Sequence, residues 1–169
     1  GVKRPFAVFT GSALAETWQI LPQKKVISML EDFGLDVVYV SSTHEDIVNY
    51  ARLKMKCPLI TQKDADYHEI MGVIKEASLF IGGRFHLIVF AACGGTPFVC
   101  LHSNTHKMEG LMKLLGTEER IVDLTDVTKV GKVVEAVLDG GSNERYSLKA
   151  RCRELAELAK LNASLLKVP

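Results

Sequence analysis

The sequence predicts an α/β fold: one three-layer domain with a parallel sheet of about six strands, helices on both faces and a long C-terminal helix. Three observations predict it. Short apolar, β-branched runs alternate with segments whose apolar residues recur at helical spacing, the pattern of strand–helix–strand crossovers into a parallel sheet. The strand candidates are continuous apolar runs rather than alternating ones, as strands covered on both faces require. Glycines stand where most of the helical patterns stop. A chain of 169 residues with 47% hydrophobic content can bury roughly 68–70% of its unfolded surface, enough for such a core.

Taken in order, Pro5 to Thr10 is a buried strand that ends in a turn at Gly11 and Ser12. Trp18 and Ile20 are expected to pack, while Pro22 argues against one helix running through that segment. Gln23 to Phe33 carries Val26, Ile27, Leu30 and Phe33 at helical spacing, with Gly34 as its stop. Leu35 to Val40 is a second strand. Thr43 and Asp46 then form a capping-box-like start in which Asp replaces the usual Glu. The helix from His44 to about Met55 is expected to bury Ile47, Val48, Tyr50 and Ala51. Cys57 to Ile60 is a short third strand or an extended connection, and Asp64 to Ala77 a helix cored by Ile70, Met71 and Ile74. Ser78 to Ile81 is a strand. Gly82 and Gly83 break it in a tight turn, and a helix from about His86 to Cys93 ends at Gly94 and Gly95. Pro97 to Leu101 is a fifth strand, His102 to His106 a polar loop, and Lys107 to Leu115 a helix closed by Gly116. Arg120 to Leu124 is a sixth strand, followed by a helix from Asp126 to Leu138 that Gly140 and Gly141 terminate. Asn143 to Lys167 is the long final helix, with Leu148, Cys152, Leu155, Leu158, Ala159 and Leu165 close to one stripe. The sum is a single Rossmann-like domain over residues 1–169.

Charge is nearly balanced, 21 Lys and Arg against 20 Asp and Glu, which argues against a nucleic-acid partner. Cys57, Cys93, Cys100 and Cys152 are widely spaced, with neither a C-x-x-C pair nor metal-ligand spacing. They read as reduced thiols of a cytoplasmic protein. No run of about 18 apolar residues is present to span a bilayer, and no signal segment opens the chain, which starts at Gly1 and reads as a fragment or processed chain. His44, His68 and the carboxylates near them form no metal cluster, and Asp64 and Asp66 read as helix caps.

In open α/β sheets, ligands bind beyond the carboxyl ends of the strands. Arg84 and His86 follow such an end directly, after Gly82 and Gly83. Free N–H groups at the start of the next helix favour an anion there. Arginine offers a two-point fork to carboxylate or phosphate, and histidine a proton donor or acceptor near neutral pH. The other reading is that Arg84 pairs with a neighbouring acid and His86 caps the helix. Lys107 also follows a strand and stands at a helix start, where its charge opposes the dipole. It either serves a site or reaches into solvent. His102 and His106, in the same loop, are substrate-binding candidates or plain polar loop residues. Gly11 and Ser12 lie where a dinucleotide loop would, but neither G-x-G-x-x-G nor G-x-x-x-x-G-K-[ST] is present.

The stretch from Ala77 through Gly82-Gly83-Arg84-Phe85-His86 to Gly94-Gly95-Thr96-Pro97-Phe98-Val99 resembles the polysaccharide pyruvyl transferase family. That family shows a strand, an R-[LF]-H turn, a small-residue helix and G-x-P before the next strand. The similarity continues through Lys107, Gly110-Leu111 and Leu115-Gly116; Phe85 replaces the commoner leucine. The resemblance implies the C-terminal lobe of a two-lobed, glycosyltransferase-B-like enzyme whose N-terminal lobe has no counterpart here. It implies transfer of pyruvate from phosphoenolpyruvate to sugar hydroxyls as a ketal, with release of phosphate and no cofactor, in cell-surface or exopolysaccharide biosynthesis. The implied partners are a small-molecule donor, a saccharide acceptor and the other lobe. His86 would act as general acid/base, Arg84 would hold the donor's carboxylate or phosphate bidentately, and Lys107 would stabilise the phosphate. Gly82, Gly83, His102 and His106 would border the substrate. The alternative is a nucleotide-sugar-binding lobe of a glycosyltransferase or epimerase, for which Glu109 is the one acid between Lys107 and Gly116.

Overall fold

The computed structural model describes residues 5–12, 20–54, 56–103 and 106–165. They form a six-stranded, all-parallel open sheet. The strands are β1 (Phe6–Ser12), β2 (Asp36–Val40), β3 (Leu59–Ile60), β4 (Leu79–Gly83), β5 (Phe98–Leu101) and β6 (Ile121–Val122), in the order β3-β2-β1-β4-β5-β6. The helices are α1 (Ile20–Asp32), α2 (His44–Leu53), α3 (Tyr67–Glu76), α4 (Phe85–Gly94), α5 (Lys107–Leu115), α6 (Val127–Asp139) and α7 (Gly141–Leu165).

Because strand side chains alternate between faces, the sheet has two cores. Phe9, Tyr39 and Ile81 on one face pack with Val26, Ile27 and Leu30 of α1, Leu53 of α2 and Val130 and Val134 of α6. Val8, Phe80 and Phe98 on the other pack with Ile70 and Ile74 of α3, Ile88 and Ala91 of α4, Met108 and Met112 of α5 and Leu148 of α7. This is the doubly covered sheet the apolar runs predict. Strand order reverses between β1 and β4, which places the switch point of the sheet at Ser12 and Gly83.

The structure corrects several boundaries. Gly11 and Ser12 are strand, not turn: β1 runs to Ser12, whose partner on β4 is Gly83 after a register shift. Gly82 and Gly83 likewise do not break their strand but finish it. A Cβ on Gly82 would lie 2.0 Å from Thr10 Cγ2, and one on Gly83 would lie 2.7 Å from Ser12 Cβ. Glycine is needed there for the approach of two strands, not for a turn. Pro22 sits in the first turn of α1, where its missing N–H costs no hydrogen bond. Phe33 falls beyond that helix and is 41% exposed. Gly34 stops α1 as expected, at φ +77°. The expected packing of Trp18 lies outside the described residues.

Thr43 caps α2 with the full capping box to Asp46. Its buried face, however, is Asp46, Asn49 and Leu53; Ile47, Val48 and Tyr50 are half-buried and Ala51 is exposed. α3 starts at Tyr67, later than the pattern suggests, because Asp66 with Glu69 makes its capping box while Asp64 closes a turn onto Thr61. A 3-10 turn at Glu118–Arg120 shortens the sixth strand to Ile121–Val122. Gly140 and Gly141 mark the joint between α6 and α7, with Gly141 at φ +52°. α7 buries Leu148 and half-buries Cys152 and Leu155, but Leu158 is 55% exposed and Ala159 is exposed too, so the stripe leaves the core at its distal half. Its proximal half is held by Arg145, which donates to the Lys75 carbonyl (3.3 Å) and the Ala77 carbonyl. Arg120 joins it through a 2.6 Å ion pair to Glu144 while lying over the Phe98 ring. The four cysteines are free thiols. Among the described residues no helix is long and apolar enough to cross a membrane.

Candidate active site

A cavity of about 700 Å³ opens at the carboxyl edge of the sheet. Gly83, Arg84, His86 and Lys107 line it together with Ser42, Thr43, Gln62, Tyr67, Phe90 and Ser103. Residues up to 65 positions apart in sequence meet here because parallel strands all point their carboxyl ends to one edge and their following helices start there.

Four helix N-termini border this cavity, those of α2, α3, α4 and α5, and they differ in charge. Thr43 with Asp46 closes α2, and Asp66 with Glu69 closes α3. α4 and α5 have no side-chain cap: Arg84 and His106, at the cap positions, donate or accept nothing there. The first turn of α4 contains no acid. Its leading N–H groups have no partner within the helix, as at any helix start, so its positive end stays open beside the cavity. Arg84 stands one residue before α4 and Lys107 is the first residue of α5, whose first turn also holds Glu109. Among the described residues Lys107 makes no ion pair.

Arg84 is held. Its Nε and Nη2 donate to Asp46 Oδ1 at 3.2 and 2.7 Å, and Nη2 also donates to Thr43 Oγ1 at 2.9 Å. Its side chain is 17% exposed and that of Asp46 is fully buried. The pairing with a neighbouring acid, one of the two readings open from sequence, therefore coexists with a place in the cavity wall. His86 is exposed in the first turn of α4 and meets the edge of the Phe85 ring, centroids 5.7 Å apart. It does not cap the helix.

Gly82, His102 and His106 do not line the cavity. Gly82 is packed against Thr10. His102 fixes the edge by its backbone: its N–H donates to the Val122 carbonyl, and its carbonyl accepts from Ser12 Oγ at 2.8 Å, while its side chain is exposed. Asp46, Thr43, Gln62, Tyr67 and Phe90 belong to the site or its support and were not singled out by spacing. The capping box was the signal that marked Thr43 and Asp46. Behind them, burial and the Asp46 charge push the Tyr39 phenol well above its usual range, with Arg84 opposing. No group of three or more His, Cys, Asp or Glu side chains among the described residues is placed to hold a metal ion.

The family model described as polysaccharide pyruvyl transferase matches residues 19–104, just over half of the 169-residue chain. The chain belongs to the polysaccharide pyruvyl transferase family. It is thus a member of a transferase family, and the matched stretch carries Arg84, His86 and the cavity-lining ends of β4, α2 and α3. No curated protein matches the chain. Solved structures share the fold at low identity. A Methanocaldococcus jannaschii UDP-GlcNAc 2-epimerase, in complex with UDP-GlcNAc and UDP, superposes with a TM-score of 0.64 at 15% identity, covering 90% of this chain and 45% of that one. A Thermobaculum terrenum O-GlcNAc transferase mutant gives 0.60 at 12%, over 88% and 32%. The catalytic domain of a Helicobacter pylori cholesterol-α-glucosyltransferase gives 0.58 at 10%, over 91% and 99%. The chain spans less than half the length of the first two.

Proposed function

We propose that this chain is the donor-binding lobe of a polysaccharide pyruvyl transferase that takes phosphoenolpyruvate and forms a pyruvate ketal on a sugar. The observation that carries the reading is the meeting, in one cavity, of two uncapped helix N-termini with Arg84, His86 and Lys107. Phosphoenolpyruvate presents two anionic groups, a carboxylate and a phosphate, and an uncapped helix start offers free N–H groups to an anion. The reaction protonates the enol methylene to a methyl group, adds two sugar hydroxyl oxygens to the adjacent carbon and expels phosphate. Of the two hydroxyl protons, one balances the new methyl and the other leaves with phosphate. His86 is the proton-transfer group. Lys107 meets the charge that grows on the departing phosphate, and Arg84 aligns the donor's carboxylate.

The acceptor saccharide is read as entering from the far side of the cavity, against a second lobe outside this chain, and the reaction as cytoplasmic and independent of any cofactor. A nucleotide-sugar reading would use Glu109 to grip a ribose, yet that side chain does not line the cavity. Titration calorimetry of the protein with phosphoenolpyruvate, and with UDP- and GDP-sugars, tests the choice. We expect phosphoenolpyruvate to bind, and Arg84→Ala and Lys107→Ala each to weaken it about tenfold or more, as loss of a charge-assisted hydrogen bond does. No binding, binding unchanged by Arg84→Ala, or a nucleotide sugar that phosphoenolpyruvate cannot displace would overturn it.

A further inference from the structure

Asp46 does not border the cavity, yet its two oxygens organise one wall of it. Oδ2 accepts from Ser42 N (3.0 Å), Ser42 Oγ (3.2 Å) and Thr43 N (3.1 Å). Oδ1 accepts from Arg84 Nε (3.2 Å) and Nη2 (2.7 Å). Thr43 Oγ1 accepts from Asp46 N at 3.3 Å and from Arg84 Nη2 at 2.9 Å. The single Nε proton and both Nη2 protons of Arg84 are therefore engaged within the protein, and Nη1 alone is left for a ligand. The arrangement requires a glycine on β1: a Cβ on Gly11 would lie 2.5 Å from Asp46 Oδ1.

We propose that Asp46, acting with Thr43, is the positioning residue of the donor site. It fixes the guanidinium by its Nε–Nη2 edge, turns Nη1 toward the cavity and cancels the formal charge of Arg84. The donor's affinity then comes from Lys107, the open start of α4 and one directed hydrogen bond from Arg84 Nη1, which replaces a two-point grip. The proposal rests on the phosphoenolpyruvate reading for its kinetic consequence, but not for its geometric one.

Two measurements on Asp46→Asn in the intact protein separate these. The variant keeps the shape and removes the charge. The first measurement is the split between KM and kcat, expressed per folded molecule. Relief of the charge cancellation leaves donor KM unchanged or lower, while loss of alignment drops kcat tenfold or more. Unchanged kcat and KM, or a raised KM with kcat intact, overturns the proposal, since a merely structural pair would change only the folded fraction. The second is the ¹⁵N–¹H signal of Arg84 Nε, assigned by its loss in Arg84→Lys. It is sharp and slow to exchange in the wild type and shifts or broadens in Asp46→Asn; an identical signal in both overturns the proposal. This second readout needs no donor, so a failure of phosphoenolpyruvate to bind sinks the functional reading while the Nε signal still decides the positioning. If Asp46→Asn does not fold, Thr43→Val and Thr43→Ser replace it. Serine retains the acceptor for Nη2 and restores kcat to within about threefold, valine does not, and equal kcat in the two overturns the proposal.

Discussion

Replacing Gly82 with alanine tests whether close approach of two strands, rather than a turn, is what the glycine is for. The added Cβ would stand 2.0 Å from Thr10 Cγ2, 3.1 Å from the Thr10 carbonyl oxygen and 3.3 Å from Thr10 Cβ. Carbon atoms rest at about 3.5–4.0 Å, so a displacement of roughly 1.5 Å is needed. Rotating the Thr10 side chain removes the first contact but not the other two. Both residues are buried at the centre of the sheet, at the register shift between the β1–β4 partners Phe9–Ile81 and Ser12–Gly83. Overpacking of this kind costs about 1–3 kcal/mol, and a site where rotation leaves the backbone and Cβ contacts in place lies toward the upper end, about 3 kcal/mol. For a domain of this size that lowers the melting temperature by about 6–12 °C. Gly72→Ala is the counterpart: it sits within α3 with nothing within 4 Å of an added Cβ. It should gain about 0.5–1 kcal/mol from helix propensity alone. Thermal and urea melts followed by far-ultraviolet circular dichroism read both. Thr10→Ser, which deletes Cγ2, should recover part of the loss in the double variant. A Gly82→Ala protein that melts with the wild type, or a double variant no better than Gly82→Ala alone, would refute the reasoning.

Two further outcomes follow from thiol and carboxylate environments. Cys93 is exposed, whereas burial pushes the Cys100 thiol up to about 12, helped by the charge of Glu109, and burial and then Cys93 push Cys152 to about 11. A maleimide at pH 7.5 should therefore label Cys93 first and Cys100 only on unfolding, and mass mapping that finds Cys100 labelled in the native state would contradict the burial argument. Asp123 is held below the ordinary carboxylate range first by the Thr125 N–H and then by its hydroxyl. A depressed native value means stability that is present above the unfolded value of about 3.9 and lost as pH falls below that and through the lower native value. Asp123→Asn should flatten that acid limb in urea melts between pH 2 and pH 5, and an unchanged limb would count against it.

Most of the fold was legible because its strands are doubly covered: Val37 to Val40 and Phe98 to Leu101 are runs that only a buried strand explains, and Gly34, Gly95 and Gly116 end helices in the left-handed region. What misled was long-range. Gly82 and Gly83 look like a break when read locally, and only the presence of Thr10 and Ser12 on the next strand makes them the end of one. The apolar residues of α2 point to the wrong inner face, because the positions actually buried carry Asp46 and Asn49, and Asp46 is satisfied by Arg84 outside the helix and by the N–H groups of Ser42 and Thr43 at its start. That Arg84, His86 and Lys107 come to line the cavity was legible because each follows a strand end, where an α/β sheet opens its clefts. His102 and His106 met the same positional criterion, yet neither lines the cavity. The 38 residues separating Asp46 from Arg84 put their contact beyond any local pattern.

If the proposed donor is right, the four helix starts that border the cavity account for selectivity toward a doubly anionic molecule without an excess of basic residues. Capping α2 and α3 with carboxylates removes their positive ends from that edge, and pairing Arg84 with Asp46 removes a third charge. What remains is the opening of α4, which has no acid in its first turn, and Lys107 at the start of α5, whose first turn also holds Glu109; both lie beside β4 and β5, away from Gln62 and Tyr67. An anion is thereby drawn to one half of the cavity and not the other. The other half, which the Asp66 carboxylate shares with the Gln62 amide and the exposed Tyr67 ring, suits, on the proposed reading, sugar hydroxyls and ring faces rather than phosphate. A balanced net charge and a site for an anionic donor are thus compatible, because the field is shaped by which helices are capped and not by how many lysines the chain carries.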